Sequence, residues 1–274
     1  MKMITTHGLR MPALGLGTWR MKGAECTAAV QRALSLGFRH IDTAEMYGNE
    51  EAVGEALTHG GVPRADLHVT TKVWYENLAP DAMQRSIDAS LTKLRTSYVD
   101  LYLIHWPAPS MNLPLAIEAL VRVMEQGKAR AIGVSNFPVA LLRQAVETGA
   151  PIAVNQFEYH VLLDQTKLVD YARSVGVAVQ AYAPLAQGRL AEHEELRAIA
   201  AKHGASPAQV ALKWLLDQDG VAAIPKAMRA ESQQANLDAL KITLDDTDRA
   251  VIAMLPKTQR FVNPGWAPAW DKAA

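Results

Sequence analysis

The sequence predicts an α/β fold: a single (β/α)8 TIM barrel with an N-terminal β-hairpin. Three observations carry this. Short apolar runs alternate with amphipathic, helix-spaced segments along the whole chain, and the runs count to eight. Several runs are apolar on both faces, as buried parallel strands require. No linker, repeat or composition break interrupts the alternation, so residues 1–274 read as one domain. An open doubly wound sheet also fits the alternation; the count of eight favours closure.

In order, residues 1–12 read as a hairpin turning at Gly8, and Pro12 to Gly17 as a first strand ending at Thr18-Trp19. A helix over Ala24–Leu36 stops at Gly37, a left-handed helix end that favours glycine. Strands then fall at Phe38–Ile41, Leu67–Thr71, Val99–Ile104, Ala131–Val134, Ile152–Val154, Val177–Ala181 and Val221–Ile224. Helices follow them at Glu50–Leu57, Asp81–Leu94, Leu115–Gln126, Pro138–Glu147, Gln165–Ser174, Glu192–Lys202 with Pro207–Leu216, and Ala230–Leu240. Asp245–Leu255 is a further helix, and the tail from Pro256 reads as loop.

Composition excludes several functions. The chain is 49% hydrophobic and its 28 Lys+Arg balance 28 Asp+Glu, which argues against a nucleic-acid or membrane-surface binder. Cys26 is the only cysteine, so neither an intramolecular disulfide nor a Cys-rich metal site is expected. The first residues lack the apolar core of a signal peptide, and no apolar run is long enough to span a bilayer. The expectation is a cytoplasmic protein, a monomer, with no nucleic-acid or membrane partner.

In a barrel the C-terminal strand ends face the active site. The residues after the apolar runs are Trp19, Asp42, Lys72, His105, Ser135 with Asn136, Gln156, Tyr182 and Lys226. Each alone has a bland reading: a helix cap, a solvated charge, an edge aromatic. Together at one mouth they mark a site. Metal chemistry finds little support, since Asp42, His105 and Glu158 come without an HxH or HExxH pattern. Ser135 has no GxSxG context, which argues against a serine hydrolase. The stretch from Asp42 to Tyr47, with Lys72 and His105, fits proton donation to a carbonyl. A lysine beside a tyrosine is expected to lower the phenol's pKa, and Asp42 to keep that lysine charged. The set lacks an electron source, so a nicotinamide is expected. A Rossmann fingerprint is missing: Gly15 and Gly17 begin one, but Arg20 stands at the third glycine. The cofactor must lie across the barrel mouth. Ser135, Asn136 and Gln156 can bond its carboxamide, Tyr182 can stack on the ring, and Lys226 with Arg229 can meet a phosphate.

The chain resembles the aldo-keto reductases along nearly its whole length. The matching stretches are GLGTW (15–19), DTAEMYGNE (42–50), TTKVW (70–74), VDLYLIHWP (99–107), GVSNF (133–137), NQFEYH (155–160), AYAPLAQG (181–188) and IPKA (224–227). Among them it is similar to the prokaryotic branch that includes 2,5-diketogluconate reductases and reduces methylglyoxal-type α-dicarbonyls. The resemblance implies a catalytic tetrad of Asp42, Tyr47, Lys72 and His105, with Tyr47 as proton donor. It implies NADPH (NADP+) as cofactor and NADH as a weaker alternative. Trp19, Ser135, Asn136, Gln156 and Tyr182 would border the nicotinamide. Pro184, Leu185 and Gly188 would belong to a loop over the pyrophosphate, Lys226 and Arg229 would face the 2′-phosphate, and Asn236 the adenine. Ala227 and Ser232 stand where the family often has Ser and Arg, which weakens strict NADPH selectivity. Trp19, Trp74, His105, Trp106 and Trp266 are expected to line the substrate pocket. Two other readings share the fold: an NADPH-binding regulatory module with slow turnover, and a Schiff-base lyase using Lys72.

Overall fold

In a computed structural model of the chain, Met3–Thr6 (β1) and Leu9–Pro12 (β2) pair antiparallel with Thr6 opposite Leu9. The two residues between them, His7 and Gly8, have φ of 41° and 78°. That pair of left-handed residues is the two-residue turn whose twist suits a hairpin. The structure describes residues 2–272; Met1, Ala273 and Ala274, at the ends of the expected domain, lie outside them.

The next eight strands form one parallel sheet in chain order: Leu16–Gly17 (β3), His40–Asp42 (β4), His68–Val73 (β5), Val99–Ile104 (β6), Ala129–Ser135 (β7), Ile152–Glu158 (β8), Ala178–Tyr182 (β9) and Val221–Ala223 (β10). The sheet closes on itself. Leu14 pairs with Ala223 and Gly17 with Lys226, both parallel, and the Gly15 amide donates to the Ala223 carbonyl at 2.9 Å. The seam is tight: a Cβ on Gly17 would lie 2.6 Å from the Ile224 carbonyl oxygen, so only glycine fits there.

Helices cover the outside: Gly23–Leu36 (α1), Glu50–His59 (α2), Pro80–Leu94 (α3), Leu113–Glu125 (α4), Val139–Glu147 (α5), Thr166–Ser174 (α6), Glu194–Lys202 (α7), Pro207–Leu216 (α8), Ala230–Asp238 (α9) and Asp246–Ala253 (α10). Local chemistry sets several ends. Gly37, at φ 105°, ends α1, and reciprocal capping boxes at Ser206 and Asp245 open α8 and α10. The hairpin lies at the base of the barrel. Lys2 donates to the Gln218 carbonyl at 2.9 Å just ahead of β10, and Thr6 bonds the Gly176 carbonyl just ahead of β9. The opposite mouth is left to the strand ends.

Most strand and helix positions match expectation. The main difference is length. β5 runs on to Val73, β7 to Ser135 and β8 to Glu158, and the added residues are all buried. The polar residues that seemed to end these runs, Lys72, Asn155, Gln156 and Glu158, are interior residues with hydrogen-bond partners. Partnered burial removes the cost that would otherwise end a strand at a polar residue.

Candidate active site

Asp42 ends β4, Lys72 sits one residue from the end of β5, and His105 follows β6. Tyr47 closes the short 3-10 turn Glu45–Tyr47 after β4. That turn is pinned from both sides. The Glu45 carboxylate accepts from the Trp74 amide at 3.1 Å and the Asn77 side chain at 2.7 Å, and the Lys22 ammonium bonds the Tyr47 carbonyl. Buried Asn49 ties Thr43 to the Thr18 and Met21 carbonyls.

The lysine is the hub. Its Nζ lies 2.6 Å from Asp42 Oδ1, 2.8 Å from the Thr43 carbonyl oxygen and 3.3 Å from the Tyr47 hydroxyl. An ammonium has three protons, and all three are placed. Tyr47 oxygen therefore accepts from Lys72, and its own proton is free to be donated outward. The His105 ring stands edge-on to Tyr47, centroids 5.5 Å apart, and its buried Nδ1 has no hydrogen-bond partner among the described residues.

Burial dominates the acid–base properties. It pushes the Tyr47 phenol well above its ordinary 10, with the Asp42 charge adding to it. The expectation that Lys72 lowers this pKa is corrected: the phenol is shifted upward, with desolvation the largest cause. Burial also draws the Lys72 ammonium down, opposed by Asp42, and draws His105 well below its ordinary 6.5. The site holds a neutral phenol and a neutral imidazole beside an ion pair.

Ser135 and Asn136, with Asn136 at φ 63°, are buried at the end of β7. The Asn136 amide donates to the His105 carbonyl at 2.9 Å and to Ser135 Oγ at 3.0 Å, and its oxygen accepts from the Tyr182 hydroxyl at 2.7 Å. Asn136 thus binds the neighbouring site groups to one another. Gln156 Nε2 donates to Asp42 Oδ2 at 2.8 Å and to Gln180 Oε1 at 3.0 Å. Its nitrogen is therefore committed inside the protein, which its strand-end position alone did not reveal.

An aromatic wall rises beside the tetrad. Trp19, 43% exposed, lies 4.8 Å from the Tyr47 ring, and Trp74 lies 5.3 Å from His105. Trp266 from the tail meets Trp74 at 5.6 Å, Tyr75 at 4.9 Å and Trp106 at 4.9 Å. Trp106, expected in the pocket lining, is only 4% exposed and mainly supports Trp266 and Trp270.

The family model described as "Aldo/keto reductase family" matches residues 13–255. The chain belongs to the aldo/keto reductase family. It is 44% identical over 268 residues to methylglyoxal reductase DkgB of Salmonella typhimurium, covering 96% of this chain and 100% of that one. It is 40% identical to the glyoxal reductase of Bacillus subtilis over 257 residues, 93% of this chain and 92% of that one. A crystal structure assigned to a 2,5-diketo-D-gluconic acid reductase B superposes with a TM-score of 0.96 at 42% identity, covering 99% and 98% of the two chains.

The remaining expected positions of this reductase trace a path away from the tetrad. After β9 the backbone turns left-handed at Ala183, Ala186, Gln187 and Gly188, around buried Pro184 and half-buried Leu185. Lys226 and Arg229 are exposed, and among the described residues neither forms an ion pair. Asn236 is buried, yet its Nδ2 has no partner among the described residues. Ala227 is buried, and its carbonyl accepts from Gln233. Among the described residues no group of acidic, histidine or cysteine side chains is placed to hold a metal, and no helix is long and apolar enough to cross a membrane. Cys26 is buried, with its thiol pushed up to about 11.

One residue of consequence carries no local sequence signal of its role. Glu158, fully buried at the end of β8, accepts from the Phe261 and Val262 amides at 2.7 and 3.0 Å. It anchors the tail that carries Trp266. Glu158→Ala is expected to loosen the tail. Trypsin should cut after Arg260, which is now 14% exposed, several-fold faster, and the KM for carbonyl substrate should rise while cofactor affinity holds. The basis is the loss of two charged hydrogen bonds, each worth about 1.5–3 kcal/mol.

Proposed function

We propose that this reductase uses NADPH to reduce small aldehydes, ketones and α-dicarbonyls of the methylglyoxal and 2,5-diketogluconate type, with Tyr47 as the proton donor. The observation that carries the reading is the Lys72 ammonium with all three donors placed, on Asp42, Thr43 and Tyr47. That geometry leaves the phenol proton for an incoming carbonyl oxygen. The ammonium at 3.3 Å then steadies the phenolate left behind. Neutral His105 beside the phenol offers a hydrogen bond to the same oxygen, and Trp19, Trp74 and Trp266 exclude water around it. The substrate range follows the names of the relatives.

The residues present fit a nicotinamide dinucleotide. Asn236 Nδ2, without a partner among the described residues, is a buried donor suited to an adenine nitrogen, and Lys226 and Arg229, in no ion pair among those residues, are cations suited to a 2′-phosphate. Ser135, Asn136 and Gln156 would hold the carboxamide, Tyr182 would lie against the ring, and the turn over Pro184–Gly188 would cover the pyrophosphate. When bound, the cofactor supplies the hydride. The preference over NADH is modest, because the Ala227 side chain offers no donor and Ser232 no guanidinium fork.

Initial rates with methylglyoxal and each cofactor test this. Lys226→Ala should raise the KM for NADPH about tenfold or more and leave that for NADH nearly unchanged, the loss of one charge-assisted contact. Equal weakening of both cofactors would show that Lys226 does not read the 2′-phosphate.

A further inference from the structure

Beneath the tetrad a buried chain of polar side chains runs down the barrel interior to the hairpin. Asp42 Oδ2 accepts from Gln156 Nε2 at 2.8 Å, and Gln180 Oε1 accepts from the same nitrogen at 3.0 Å. Gln180 Nε2 lies 3.0 Å from His40 Nε2, and His40 Nδ1 lies 2.9 Å from the Pro12 carbonyl oxygen. His40 and Gln180 are 0% exposed, Asp42 and Gln156 1%. The ring is also closely walled: a Cβ on Gly15 would lie 2.7 Å from it.

Chemistry fixes the direction of every bond in this chain. A carbonyl oxygen only accepts, so His40 Nδ1 carries a proton. In the neutral ring Nε2 then bears a lone pair and must receive an amide proton from Gln180. Gln180 therefore turns its oxygen to Gln156, which must answer with its nitrogen. The second proton on that nitrogen meets the Asp42 carboxylate. Burial holds His40 below its ordinary pKa, in keeping with the neutral ring. A protonated His40 would reverse the order: Gln180 and then Gln156 would flip, setting an amide oxygen against the Asp42 carboxylate.

None of these bonds uses Gln156 Oε1. We infer that His40 and Gln180 are positioning residues that lock the Gln156 amide, so that its nitrogen serves Asp42 and its oxygen is the acceptor for the carboxamide NH2 of the nicotinamide. Ser135 Oγ, already accepting from Asn136, is left to donate to the carboxamide oxygen. The two groups together read the carboxamide in one orientation. This inference rests on the cofactor reading above.

The test compares NADP+ with its 3-acetylpyridine analogue, in which a methyl replaces the carboxamide NH2. Binding is followed by tryptophan fluorescence quenching. The wild-type protein should bind NADP+ about five- to tenfold more tightly, the worth of one hydrogen bond. Gln180→Met, similar in length but unable to form these bonds, should bring the ratio near one. Gln180→Glu should restore it, because a carboxylate still accepts from Gln156 and pairs with a protonated His40. Nitrogen NMR of the wild-type ring should show the neutral Nδ1–H form. A wild-type ratio of one, an unchanged ratio in folded Gln180→Met, or an Nε2–H ring would each overturn the inference. Failure of both nucleotides to bind would instead remove the cofactor reading, and the ring tautomer would still judge the chain.

Discussion

Lys72→Met is expected to abolish carbonyl reduction and to destabilise the fold by about 3–5 kcal/mol, the cost of removing one member of a buried ion pair. Lys72 and Asp42 are 0% and 1% exposed and 2.6 Å apart. With the ammonium gone, Asp42 keeps only the neutral amide of Gln156 against its charge. Tyr47 loses the donor on its oxygen, so the phenolate formed on proton transfer has no counter-charge. The thioether also leaves the Thr43 carbonyl without its bond. Denaturant unfolding and steady-state rates measure the two effects separately. A variant of wild-type stability and rate would mean that the lysine is catalytically idle and that its pairing with Asp42 contributes nothing to the fold.

Tyr47→Phe isolates the chemistry from the folding. The ring is half-buried against Trp19 and His105, and phenylalanine keeps those contacts. Stability should change little. Turnover should fall by ~10²–10⁴-fold, the usual contribution of a positioned general acid. NADPH affinity, read by fluorescence quenching, should be near that of the wild type, because the proposed role gives the hydroxyl to the carbonyl substrate and not to the cofactor. Because burial holds the phenol above 10 and His105 below 6.5, neither group changes charge between those values. Neither group should therefore place a limb in the wild-type pH–rate profile across that range; an alkaline limb there belongs to Lys72, whose ammonium burial draws below its ordinary 10.5, and a rate that rises with pH through neutrality would contradict Tyr47 as the acid.

The barrel was legible because its signal is local. Strand runs, helix spacing, Gly37 and the Asp42–Tyr47 turn each announce themselves within a few residues. The strand-end list likewise reached Asp42, Lys72 and His105, since an acid or base at the end of an apolar run is conspicuous. What local pattern cannot carry is the partner. Gln156 finds Asp42 across 114 residues of sequence, and Gln180 finds His40 across 140. Inside a strand such residues read as breaks or solvated positions, which is why β8 seemed to stop at Val154. The role of Glu158 is hidden for the same reason: its partners are backbone amides of the tail, and backbone leaves no trace in residue identity. For Tyr47 the neighbouring lysine was foreseen, but the depth of its surroundings was not, and desolvation decided the direction of its pKa.

The central claim is tested most directly by following NADPH absorbance at 340 nm with methylglyoxal and the wild-type protein, while the alcohol product is quantified. The account predicts multiple turnovers, with one NADPH consumed for each alcohol formed. Absence of turnover despite tight NADPH binding, or a borohydride-trapped adduct on Lys72 formed without any nicotinamide, would contradict it.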